Sequence, residues 1–327
     1  MKLKKKTIFF AILDVCAIAF ILIVYVVSPS FKNWWITTSA ATGSHKWFAD
    51  IFYTDEQIKE TLTNNQVVEV DEEVNLDDIT FENTEVESYD SIYDEQVLKR
   101  DKDALYKLID IKEKGYRGYM VAIYDPSRIK LATSTGNGQN LRRIAKDNNA
   151  IVAINASGFN IASAQANGIV IKDSKLVSNY GYNRHGGGLV GFTKKNVLML
   201  TTSNSSTAIS KGMRDAVEFG PFLIINGKAA TIKGNGGLGV ANRTVIAQRK
   251  DGIVLFLVID GRGANDSKGI DMNGLIKILT RYKAYNAANL DGGGSSTLVI
   301  NNKLINNPKG YYGDLWERPL PNAWILK

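Results

Sequence analysis

The run Asp291-Gly292-Gly293-Gly294-Ser295-Ser296-Thr297 sets one carboxylate, three glycines and three hydroxyls directly before the apolar stretch Leu298-Val299-Ile300. A carboxylate there can act as nucleophile or as base. Glycine lacks a Cβ, so the backbone can turn sharply and a ligand can approach it closely. Successive amides in such a turn can form a concave anion site. Taken alone, the same run also fits a tight hairpin turn capped by an aspartate. Two further polar groups follow apolar stretches: Asn155 ends 150–155, and Asp260-Gly261-Arg262 follows 253–259. Loops at strand ends commonly carry catalytic groups on a rigid scaffold. His185, in Asn183-Arg184-His185-Gly186-Gly187-Gly188, is the only histidine beyond residue 104. It titrates near neutral pH and suits acid–base work, or else it is a loop histidine facing solvent.

The elements that must position these groups read mostly as strands. Apolar runs bounded by turn residues predict strands at 119–124, 150–155, 168–172, 197–201, 222–226, 245–247, 253–259, 297–300 and 323–326. Helical patterns fall at 95–108, at 140–148 with Asn140 as cap, and at 273–285. Strands with a few helices between them predict an α+β domain built on mixed, strand-rich sheets. No internal repeat is present.

In chain order, several segments together resemble the phosphodiester glycosidase family. They are Asn155-Ala156-Ser157-Gly158-Phe159, Gly220 to Gly227, Arg243-Thr244-Val245-Ile246, Val258-Ile259-Asp260-Gly261-Arg262, Ser267-Lys268-Gly269, Asn289 to Thr297, and Glu317-Arg318-Pro319. The resemblance covers about 115–327. It departs from the family at Asn155-Ala156-Ser157-Gly158, where the usual pattern is Asn-Gly-Gly. It implies hydrolysis of the bond between an anomeric carbon and a phosphodiester oxygen. Bacterial relatives are often membrane-anchored and associated with surface polysaccharide. Because the anomeric carbon becomes oxocarbenium-like, a carboxylate should face it; Asp291 is the expected one. The leaving phosphate is stable as an anion, so charge stabilisation can replace much of the acid catalysis. Arg243 and Arg262 are the expected phosphate ligands, since guanidinium pairs with phosphate in a bidentate way. The amides of Gly292, Gly293 and Gly294 and the hydroxyls of Ser295 and Ser296 would complete that cradle or hold sugar hydroxyls. Asn155 would hydrogen-bond the sugar. Asp260, Glu218 and His185 are candidates for a second acid–base group, and Glu317 is expected to pair with Arg318 or another basic residue. Two other readings stay open: a phosphodiesterase attacking phosphorus, and a non-catalytic protein that binds or assembles surface glycans.

Composition narrows cofactors and partners. The chain has one cysteine, Cys16, and two histidines, His45 and His185. An intrachain disulfide is excluded, and a multi-histidine zinc site nearly so. No cofactor is expected, although Asp260, Asp291 and nearby carbonyls offer oxygen ligands suited to calcium or magnesium. Residues 7–27 form an apolar run of the length that spans a bilayer. Lys2, Lys4, Lys5 and Lys6 precede it and place the short 1–6 tail in the cytoplasm. An uncleaved anchor is favoured over a signal peptide, whose apolar core is shorter. Asp14 within the run is costly to insert and often meets another segment. Residues 28–103 then form an aromatic, membrane-proximal segment and an acidic linker, and 104–327 the catalytic domain. Residues 50–103 hold 18 acidic against 4 basic residues, and 104–327 hold 30 basic against 14 acidic. Such a split predicts an acidic stalk and a basic outer domain drawn to anionic, phosphate-bearing glycans, on the extracellular side of the membrane. Nucleic acid is not an expected partner, because no recognition motif is present.

Overall fold

The computed structural model describes residues 5–23, 28–41, 47–81, 88–181, 186–310 and 314–327. The chain forms two compact units, one of residues 1–67 with 232–239 and one of 68–231 with 240–327.

The first unit is helical. Lys5–Leu22 is apolar along most of its length, and residues 6–23 are exposed throughout. Among the described residues, no helix is long and apolar enough to cross a membrane; 24–27 of the apolar run lie outside them. Helices Pro29–Ala41, Trp47–Phe52 and Asp55–Asn64 bury Ile36, Ala49, Tyr53 and Ile58 against one another. The last begins at a capping box, in which Thr54 Oγ1 accepts from the Gln57 amide (3.3 Å) and Gln57 Oε1 from the Thr54 amide (3.0 Å).

Three antiparallel sheets build the second unit. The largest has seven strands in the order 228–229, 222–225, 284–290, 243–249, 254–259, 116–123, 106–113. A second has five, in the order 303–304, 298–300, 152–155, 322–326, 129–133. The third, also five-stranded, runs 175–180, 168–172, 213–219, 188–193, 198–201. One apolar core joins all three through Val121, Ile154, Val217, Ile246, Phe256 and Trp324. Val254–Ile259 is buried at every position, which is why it reads as a continuous apolar run. Helix Met272–Arg281 packs beside Ala284–Leu290. With its helices and several sheets, the architecture is α+β.

Register sets the site. Thr244 pairs with Leu290 and Arg243 with Ile259, so the ends of three neighbouring strands reach one edge of the large sheet. Leu298 pairs with Ile154 and Ala323 with Asn155 in the second sheet. The loop from Asp291 to Thr297 therefore passes from one sheet to the other beside Asn155.

Two expectations change. The helical pattern at 95–108 resolves into a helix, Ile92–Leu98, and a strand, Tyr106–Glu113. In that strand Ile109 and Ile111 are buried while Leu108 and Asp110 are exposed, a period of two that only a strand satisfies. The acidic stretch 55–103, expected as an extended or partly ordered linker, contains the capped helix Asp55–Asn64, and from residue 68 it belongs to the second unit. Its carboxylates meet basic groups of that unit. Glu73 pairs with Lys211 (2.7 Å), Glu72 with Lys228, and Asp94 with both Lys283 (3.0 Å) and Arg249 (3.0 Å).

The Asp94–Arg249 pair is buried on both sides, each side chain 4% exposed. Asp94→Ala takes from the buried Arg249 one of its two carboxylates, Asp251 (2.7 Å) remaining, and should therefore cost about 2 kcal/mol in urea unfolding. Glu73→Ala, in an exposed pair, should cost less than about 1 kcal/mol. Equal, small losses would show that the acidic stretch does not hold the unit together.

Candidate functional site

The strand Ala284–Leu290 ends at Asp291, whose amide donates to the Ala156 carbonyl (3.1 Å). The chain then makes one 3-10 turn, Gly293–Ser295, before the strand Leu298–Ile300. Gly293 sits at φ +59°, a left-handed conformation that glycine adopts without penalty.

Two buried side chains fix this loop. Asn155 Nδ2 donates to the Asp291 carbonyl (2.6 Å), and its Oδ1 accepts from Thr244 Oγ1 (2.8 Å) and the Thr297 amide (3.1 Å). One amide thus ties the loop's first residue to its last. Asp260 works through Asn306. Its carboxylate accepts from Asn306 Nδ2 (3.0 Å), the Asn307 amide (3.2 Å) and Asn265 Nδ2 (2.9 Å). Asn306 Nδ2 also donates to the Ser296 carbonyl (3.0 Å), and its Oδ1 accepts from the Leu298 amide (2.8 Å). Burial raises the Asp260 pKa, while these donors pull it back. Because its oxygens face N–H donors, a cation there would first have to displace them.

On the open side of the loop, Asp291 is half-buried. Burial pushes its carboxyl up to about 6, opposed by the Ser295 hydroxyl, the charge of Arg318 and the Gly292 amide. Arg318 Nη1 donates to Ser295 Oγ (3.4 Å), and its guanidinium lies over the Trp316 ring (5.3 Å). Arg262 donates from Nη1 to the Lys309 carbonyl (2.9 Å) and holds its own backbone at φ +54°. Both guanidiniums converge on Gly294. A Cβ built there would lie 3.0 Å from Arg318 Nη2 and 3.4 Å from Arg262 Nη1. Any other residue at 294 would crowd that point. Two cations brought together over one glycine, beside a single carboxylate, form a site for an anion.

The structure brings together Asp291, Gly294, Ser295 and Arg262, and places other candidates elsewhere. Arg243, expected to bind phosphate, is 6% exposed beneath the loop; its Nε donates to the Ile270 carbonyl (3.4 Å). Burial pulls its guanidinium down to about 10, against the nearby charge of Asp271. Asn155, expected to hold a sugar hydroxyl, is wholly buried and bonded within the loop. Two expected cradle amides are already engaged: that of Gly292 bonds the Asp291 carboxylate and that of Gly293 the Asn242 carbonyl (2.9 Å). Ser296 is buried, with its hydroxyl aimed away from solvent. Asp260 is a buried brace rather than an open acid or base. Glu218 Oε2 accepts from the Ile169 amide (2.9 Å), which ties neighbouring strands of the third sheet. His185 lies outside the described residues. Glu317 pairs with Arg142 rather than Arg318, leaving Arg318 to the loop. Arg318 and Asn306 are the residues that sequence reasoning missed. Glu317-Arg318-Pro319 carried a signal for the first, but for Asn306 there was none. Among the described residues, no group of three His, Cys, Asp or Glu is placed to hold a metal ion.

A family model for phosphodiester glycosidases matches residues 148–327. The chain is 32% identical to the SPbeta prophage-derived uncharacterized protein YomE of Bacillus subtilis (strain 168), over 53% of this chain and 28% of that one. It is 26% identical to the N-acetylglucosamine-1-phosphodiester alpha-N-acetylglucosaminidase of Bos taurus, over 54% of this chain and 36% of that one. The chain thus spans about a third of the length of these relatives. In fold it resembles the catalytic domain of the zebrafish N-acetylglucosamine-1-phosphodiester alpha-N-acetylglucosaminidase auto-inhibited by its pro-peptide. That match has a TM-score of 0.58 and 21% identity, covering 70% of this chain and 85% of that one.

A carboxylate held at about 6 costs stability when ionised. Its folded pKa lies above the unfolded value near 3.8, so the cost is complete above about 6 and disappears below about 4. Asp291→Asn should therefore stabilise the fold by about 1–2 kcal/mol at pH 7.5. The gain should fall to about a third of that at pH 4.5. A variant less stable than the parent at pH 7.5 would mean that the carboxylate is a structural brace.

Proposed function

Because the chain belongs to the phosphodiester glycosidase family, we propose that it hydrolyses the glycosidic bond of a sugar-1-phosphodiester in a surface glycan or glycoconjugate. The observation that carries the proposal is the convergence of Arg262 and Arg318 over Gly294, beside Asp291. The arginines take the phosphate through charge-assisted, bidentate bonds. Asp291, mostly ionised at neutral pH, faces the anomeric carbon as nucleophile or as base for water. The bond from that carbon to the phosphate oxygen breaks, and its electron pair leaves with the phosphate. Water's oxygen ends on the sugar, and the products are a free sugar and a phosphomonoester. The Ser295 hydroxyl, shared between Asp291 and Arg318, keeps the carboxylate and the cation in register.

The protein is further proposed to be anchored by its N-terminal apolar helix, with the second unit outside the cell. Lysines precede the helix, and its apolar side chains are exposed from Ile8 to Ile23.

Turnover of an N-acetylglucosamine phosphodiester by the full chain in heavy-oxygen water tests the chemistry. Heavy oxygen should appear on the released sugar. Its appearance on phosphate would mean attack at phosphorus and would sink the glycosidase reading. Arg318→Met should lower kcat/KM by about 10²–10³-fold. The same change removes a charge that lowers the Asp291 pKa, so the acidic limb of the pH–kcat/KM profile should move upward. An unmoved limb would place Arg318 outside the electrostatics of the reaction.

A further inference from the structure

Arg262 and Arg318 meet over Gly294 but reach it from distant parts of the chain. One hairpin stem receives both. Its arms, 307–310 and 314–316, are joined by bonds from the Gly310 amide to the Asp314 carbonyl (2.9 Å) and from the Trp316 amide to the Pro308 carbonyl (3.1 Å). At its base the Asn307 amide donates to the Asp260 carboxylate (3.2 Å), so the stem stands on the same buried brace as the glycine loop. The first arm holds Arg262 through the Lys309 carbonyl (2.9 Å). The second carries Trp316, and the Arg318 guanidinium lies 5.3 Å from the centre of its ring.

Little else holds Arg318. Its Nη1 bond to Ser295 Oγ, at 3.4 Å, is longer than most hydrogen bonds of its kind. Its Nε is buried with no hydrogen-bond partner among the described residues. The neighbouring carboxylate, Glu317, is paired with Arg142. A long side chain so tethered keeps much of its rotamer freedom unless something else restrains it. An indole ring supplies that restraint by attracting the cation through its quadrupole. A carboxylate in its place would occupy the guanidinium fork and offset its charge. The ring does neither, so charge and N–H donors stay available to an anion. Trp316 is 41% exposed, so its ring is not there to fill the core.

We propose that Trp316 is a positioning residue for phosphate recognition: its ring holds the Arg318 guanidinium over Gly294 in place of a carboxylate, so that the arginine meets phosphate with its fork open. The link to turnover rests on the glycosidase reading; the link to phosphate binding does not. Calorimetry of the full chain with inorganic phosphate tests the second. Trp316→Leu keeps an apolar side chain but removes the ring, and should weaken phosphate binding by about fivefold. Trp316→Phe keeps a ring and should stay within about twofold of the wild type. Equal affinities in the wild type and Trp316→Leu, a Trp316→Phe variant as weak as Trp316→Leu, or no phosphate binding by the wild type would overturn the role. The same variants are then given the methyl phosphodiester of N-acetylglucosamine. Trp316→Leu should lower kcat/KM by about fivefold alone, but by less than about twofold in the Arg318→Met background, where no guanidinium is left to position. A fivefold loss in both backgrounds would place Trp316 against the substrate itself and overturn the positioning role. Phosphate binding in the expected order, with no turnover by the wild type, supports Trp316 and counts against the glycosidase reading alone.

Discussion

Two guanidiniums meet most closely over one residue when the backbone beneath them is bare and held in place. Gly294 supplies the bare point, since a Cβ there would lie 3.0 Å from Arg318 and 3.4 Å from Arg262. Immobility comes from below. A loop of glycines loses more chain entropy on ordering than any other sequence. Here that loss is met by side-chain amides that bond the loop backbone from the buried side. Asn155 holds the Asp291 carbonyl and the Thr297 amide, and Asn306 holds the Ser296 carbonyl and the Leu298 amide. The roles of these amides and of Asp260 follow from one need: the loop must not relax when the arginines repel.

The same need explains the electrostatics of Asp291. Its burial raises its pKa, and Arg318 and Ser295 lower it again. A carboxylate with a pKa near 6 is ionised at neutral pH yet remains a competent base, which suits attack at carbon or activation of water. Full compensation by a second close arginine would make it a weaker base. Ser295 lets Arg318 act on the carboxylate through a hydroxyl rather than by a direct pair, which leaves the guanidinium fork open to an anion.

How much of this was legible varies with the physics of each element. Val254–Ile259 and Val152–Asn155 are buried at every position, so their apolar runs announce them. Met213–Phe219 hides itself because Arg214 and Asp215 look like solvent-facing charges, whereas Asp215 is 1% exposed and pairs with its neighbour (2.8 Å). Gly188–Thr193 is not among the expected strands, yet Gly191 is required where a Cβ would overlap the Asp215 carbonyl of the adjacent strand. Motif position named Asp291 and Arg262 as candidates but could not rank the arginines. Arg243 pairs with Ile259 inside the sheet and is sealed beneath the loop, whereas Arg318 lies on an irregular segment that no periodicity marks. Charge type is visible in a sequence; the face on which it emerges depends on register and on the loops that cover it.

Charge summed along the chain misleads for a related reason. The basic excess beyond residue 103 suggests strong attraction to anionic polymers at long range. Yet residues 68–103 contribute −11 to the same folded unit, against +15 from the remainder, leaving +4. Ion pairs hold Lys211, Lys228 and Lys283 at the surface and Arg249 in the interior. A field this small is screened within about 8 Å at physiological salt and steers a phosphate-bearing chain only weakly. In the proposed reaction, recognition of phosphate is therefore short-range and geometric, through two arginines held over one glycine.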